Sequence, residues 1–164
     1  MLEKPAATSV AIAEVIARRW SPRAIDPDQP VSREHLLMLL EAARWAPSCF
    51  GDEPWRYLVW DRFADAAGWQ QAFACLAEGN QIWVKNAPVL LLSVATPNFG
   101  HNGQPNRWAQ HDTGAASENL CLQAAALGLS GGGAKTGRGA AAYGHGRRPT
   151  AGRHPGRPPG RDFQ

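Results

Sequence analysis

Apolar residues recur along residues 10–129 with periods that separate helices from strands. Val10, Ala13, Ile16 and Ala17 return every three or four positions, the spacing of one helix face. Ser9 stands where a hydroxyl can accept from the orphan amides of a first turn, so a helix is expected from there to Arg18 and Arg19, ending near Trp20 before Pro22. Pro27 and Pro30 frame an extended link. Ser32 then caps a second helix on Leu36, Leu37, Leu39, Leu40 and Ala43, which Pro47 stops. Tyr57 to Trp60 reads as a short strand of β-formers, followed by a helix from about Ala64 to Leu76. Val89 to Ala95 is continuously apolar between prolines, as a strand covered on both faces should be. A long helix from about Arg107 to Leu127 ends at Gly128, the residue type that favours the left-handed C-terminal position. Helices first, then strand, helix, strand and helix: the expected class is α+β.

At Ser130 the pattern stops. Residues 131–164 hold ten Gly, six Arg, five Ala and four Pro, and no Val, Ile, Leu, Met or Trp. Ordering a residue costs about 1–2 kcal/mol of backbone entropy, and this segment has no apolar burial of its own to offset it. The expected organisation is therefore an incomplete folded domain over 1–129 and a disordered Gly/Arg/Pro/Ala-rich tail over 130–164. Codons for these four residues can begin with two G or C bases, so a GC-rich gene read out of frame would give such a mixture. A frameshifted end is the preferred explanation, and a natural basic tail touching acidic surfaces is the alternative.

Charge divides at the same place. The tail carries seven basic residues and one acidic, a net +6, which leaves about −3 on the body of a chain whose total is +3. A chain of 164 residues suits one domain, burying roughly two-thirds of its unfolded surface. No apolar run reaches membrane-spanning length, and Met1 to Pro5 lacks the features of a secretory signal, so a cytoplasmic location and no membrane partner are expected. Cys49, Cys75 and Cys121 are far apart and read as small buried hydrophobes, with no metal site expected.

Two stretches could carry chemistry. In RRWSPRAID, residues 18–26, Arg19, Ser21 and Arg23 alternate just beyond a helix, so an extended backbone points them to one side. Two guanidiniums and a hydroxyl suit a phosphate, while the plain alternative is a solvated basic helix end. The turn from Pro47 to Gly51 offers amides, a hydroxyl and a thiol, with glycine allowing close approach to a flat ring; alternatively it only connects helix to strand. GLSGG at 128–132 fits a nucleophile-elbow pattern but follows a helix where that motif needs a strand. GLSGGGAKT falls one residue short of a phosphate-binding loop, and HDTGA at 111–115 echoes a protease triplet inside a helical pattern. His111 reads as a surface or interface residue.

Together RRWSPRAID, EAARWAPSCFGDEPWRYLVW, EGNQIWVKNAPVLLLSVA and DTGAASENLCLQAAALGL resemble, in order and spacing, the FMN-dependent nitroreductases over about residues 10–129. That resemblance implies a homodimeric α+β fold with FMN at the subunit interface. Electrons would pass from NAD(P)H through the flavin to nitro compounds, quinones or similar small acceptors. It also implies FMN contacts at Arg19, Trp20, Ser21 and Arg23 for the phosphate and ribityl end. Pro47, Ser48 and Cys49 would lie beside the isoalloxazine, and Asn80 at the ring edge. No catalytic acid–base pair is implied, because the flavin carries the hydride chemistry. Gly51 and Glu53 depart from the family's frequent Asn and Gln, and Lys85 falls near a family lysine in loose register. A sheet lacking its late strands would leave an unpaired edge, so weak or absent FMN binding is a further expectation. The alternatives are a remnant without activity and a nucleic-acid binder acting through the basic tail, although no nucleic-acid partner is expected.

Overall fold

The computed structural model describes residues 4–134 and 140–144. Five helices and four strands follow in chain order: α1 Glu14–Arg18, α2 Arg33–Arg44, β1 Trp55–Asp61, α3 Ala66–Ala74, α4 Glu78–Val84, β2 Val89–Ala95, α5 Ala109–Ala126, β3 Ser130–Ala134 and β4 Ala140–Gly144. The strands form one antiparallel sheet in the order β1-β2-β4-β3, an α+β architecture as expected.

Alternation along β2 organises the core. Val89 and Leu91 pack on one face with Leu39 and Ala43 of α2 and Ala116, Leu120 and Ala124 of α5. Leu90 between them points the other way, into Ile25, Trp69 of α3, Leu76 and Val84 of α4. The sheet is thus covered on both faces, which is why β2 is apolar without interruption. Burying each of these large side chains is worth about 1.5–3 kcal/mol.

Local chemistry sets most boundaries. Ser32 caps α2, its Oγ accepting from His35 N at 3.1 Å, and Asp65 caps α3 through Gly68 N at 2.9 Å. α5 ends in a Schellman motif: Leu129 N donates to Ala124 O at 2.8 Å and Gly128 N to Ala125 O at 3.1 Å, with Gly128 at φ 71°.

Four expectations need correction. The first helix is only five residues, starting after Ala13 with no side-chain cap, so Ser9 caps nothing; Ala6 N instead bonds Ala17 O as the chain folds back along α1. α4 lies in the unassigned stretch before β2. The cysteines are less buried than expected: Cys75 is exposed, and Cys49 and Cys121 are half-buried, with Cys121 packed against the core.

The fourth correction concerns order beyond Ser130. Residues 130–134 and 140–144, expected to be disordered, form β3 and β4. Sheet pairing is a backbone property, and β4 aligns with Val89–Leu92 of β2, so the apolar burial comes from β2. Residues 135–139 and 145–164, on which the rest of the disorder expectation falls, lie outside the described residues.

Candidate functional site

The turn after α2 is built by strain and held from a distance. Phe50, Gly51 and Glu53 all have positive φ, at 56°, 65° and 48°. Inside the turn, Gly51 N donates to Ser48 O at 3.0 Å and Glu53 N to Ser48 Oγ at 3.1 Å. Two carboxylates with side chains only 6–7% exposed tie it down, one from α5 and one from within the turn. Asp112 of α5 accepts from Cys49 N at 2.9 Å, while Asp52 accepts from Gly100 N at 2.7 Å. A histidine stands behind each carboxylate: His111 Nδ1 at 3.1 Å from Asp112 and His101 Nδ1 at 4.0 Å from Asp52. Neither aspartate stood out in the sequence, and HDTGA, which does lie within α5, proves to contain the anchor.

The basic stretch reaches the same helix elsewhere. Arg19 follows α1, and its Nε lies 3.7 Å from Glu118 Oε1 on α5. Trp20 is half-buried, Ser21 and Arg23 are exposed, and Ile25 enters the core on the far face of the sheet. Asp112 and Glu118 are six residues apart, which on a helix is about 9 Å along and roughly 120° around the axis. Asn80 belongs to α4, on the Ile25 side, where its Oδ1 accepts from Trp83 Nε1 at 3.3 Å. Arg19–Arg23 therefore runs from α5 towards the layer of Asn80, whereas the Pro47–Cys49 turn meets α5 at Asp112, through Cys49 N, on another face.

Beneath the turn, Ser117 donates to Thr113 O at 2.8 Å, so Tyr57 donates its hydroxyl to Ser117 Oγ at 3.1 Å. Burial pushes the Tyr57 phenol above its usual pKa, and the Ser117 contact opposes that in part. A separate open groove on α2 is lined by Leu37, Met38, Ala42 and Trp45 with Glu34 and Glu41, and none of the expected flavin contacts lines it. Among the described residues no group of three or more His, Cys, Asp or Glu is placed to hold a metal, and no helix is long and apolar enough to cross a membrane.

As a class, this is an α+β domain whose candidate ligand groups sit mainly on turns leaving its first two helices, with Asn80 on α4. The chain belongs to the Nitroreductase family, whose profile matches residues 16–135. A crystal structure described as an oxidoreductase containing FMN is 31% identical, with a TM-score of 0.79 over 90% of this chain and 84% of that one. A protein from Desulfovibrio desulfuricans solved in complex with FMN is 26% identical, with a TM-score of 0.66 over 86% and 90%. The Major NAD(P)H-flavin oxidoreductase of Aliivibrio fischeri is 30% identical over 77 residues, 47% of this chain and 35% of that protein. The matches span 24–39% of the curated relatives' own length.

Proposed function

We propose that the chain is an FMN-dependent NAD(P)H oxidoreductase that reduces nitro compounds, quinones or similar small acceptors. The observation that carries this reading is the docking of both ligand-bearing segments on α5, the turn through Asp112 and the basic stretch through Glu118. The donor set fits FMN. Arg19 meets Glu118 through Nε, and a guanidinium has four further N–H donors for phosphate oxygens; exposed Arg23 and Ser21 add a second fork and a hydroxyl. Ser48 Oγ already accepts from Glu53 N, so its proton is what it offers a ring edge. Trp83 orients the Asn80 amide by donating to its oxygen.

When bound, FMN supplies the redox chemistry: NAD(P)H gives up a hydride, and with one proton from solvent the acceptor gains two electrons and two protons. The protein's part is to bind, orient and exclude water. The turn suits that part, because its backbone is fixed by two buried carboxylates before any ligand arrives.

The separation of Pro47–Cys49 from Arg19–Arg23 and Asn80 within one chain favours a site completed by a second copy. The exposed Leu37 and Met38 of α2, with Trp45 at its C-cap, give that copy an apolar face to cover. Purified protein given FMN should remain yellow after gel filtration and oxidise NAD(P)H with menadione. A colourless protein without that activity would overturn the reading.

A further inference from the structure

Phe50 combines three features that rarely coincide. It is a bulky residue in the left-handed region, φ 56° and ψ 17°; its side chain is on the surface, 82% exposed; and the turn is tethered on both sides of it, at Cys49 N by Asp112 and at Asp52 by Gly100 N. Asparagine or glycine would suit that backbone better, and so large an apolar side chain gains nothing there from burial. An aromatic ring held at such a place points to contacts made through its edges and faces.

The ring does not stand alone. Phe99 and His101 each approach it to 5.8 Å between centroids, at interplanar angles of 78° and 63°, and lie 5.3 Å from each other. Edge-on neighbours leave a ring face open while fixing the ring's direction. The loop supplying them is tied down: Asn98 bridges Pro105, Phe99 N donates to Gln104 O at 2.8 Å, and Gly100 N is held by Asp52. An open aromatic face on a rigid mount, one residue after Cys49, is a stacking platform.

We infer that Phe50, braced by Phe99 and His101, is a specificity-determining wall against which a planar aromatic electron acceptor packs. The inference rests on the oxidoreductase reading and adds to it the residue that selects among acceptors. A flat ring gains from stacking here, whereas a compact ion such as ferricyanide has no face to offer.

The test uses FMN-loaded protein and, first, binding without turnover. Calorimetry with 4-nitrobenzoate in the absence of NAD(P)H should show about tenfold weaker binding for Phe50→Ala, with Phe50→Tyr close to the parent chain. In turnover, kcat/KM of Phe50→Ala should fall about tenfold for menadione and less than twofold for ferricyanide, while Phe63→Ala, on a different loop, changes neither. Phe50→Gly should raise Tm by relieving the backbone yet lose 4-nitrobenzoate as Phe50→Ala does. Undiminished 4-nitrobenzoate binding by Phe50→Ala in a yellow, active protein would overturn the wall alone. So would a loss restored at high protein concentration, which assigns Phe50 to a subunit contact. A parent chain that takes up no FMN removes both the wall and the reading beneath it.

Discussion

Asp112 holds Cys49 from 63 positions away, and its side chain is nearly out of solvent. A hydrogen bond to a buried carboxylate is worth about 1.5–3 kcal/mol, so Asp112→Ala should lower unfolding free energy by about 2 kcal/mol in urea titrations and loosen the turn. No local signal announces such an anchor, because its partner is an amide that every residue except proline carries. Arg19, Ser21, Arg23 and the Pro-Ser-Cys turn were legible as candidates from residue type and spacing; which faces of α5 they meet was not, because helix crossings are set by distant packing. Tyr57 gives a pH test. Its pKa is raised in the fold by burial, so the stability tied to its neutral phenol is intact below the ordinary tyrosine range and is lost as pH climbs through the raised value. Tyr57→Phe should flatten that alkaline loss when Tm is followed from pH 9 upward.

At the scale of elements, the most legible were those whose chemistry is local. Ser32, the apolar run Val89–Ala95 and Gly128 each do what their side chains, or the lack of one, dictate. Elements that depend on neighbours were harder to read. The chain before α1 folds back along it, and β4 is placed by its pairing with β2. Two glycines of similar appearance should therefore respond oppositely. Gly114 lies within α5, where an added Cβ meets nothing within 4 Å, so Gly114→Ala should stabilise by about 0.5–1 kcal/mol. Gly128 has φ 71° and closes the Schellman motif, so Gly128→Ala should destabilise by about 1 kcal/mol. Thermal melts of the two variants check the pair.

For the whole molecule, α2 and its C-cap display Leu37, Met38 and Trp45 on one groove, while the buried apolar residues fill two clusters around the sheet. Covering that face with a second copy should give a dimer in sedimentation velocity, and Leu37→Glu should shift it to monomer. The sequence-based expectation of weak FMN binding rests on a sheet lacking its late strands. β3 and β4 pair beside β2, so that edge of β2 is covered. The most direct measurement is a titration of flavin fluorescence with the parent chain and with Arg23→Ala. Saturable quenching at one FMN per chain, weakened about 10- to 100-fold by Arg23→Ala, is the predicted result. No quenching, or equal quenching by both proteins, would contradict the claim that the basic stretch after α1 holds the phosphate of a flavin.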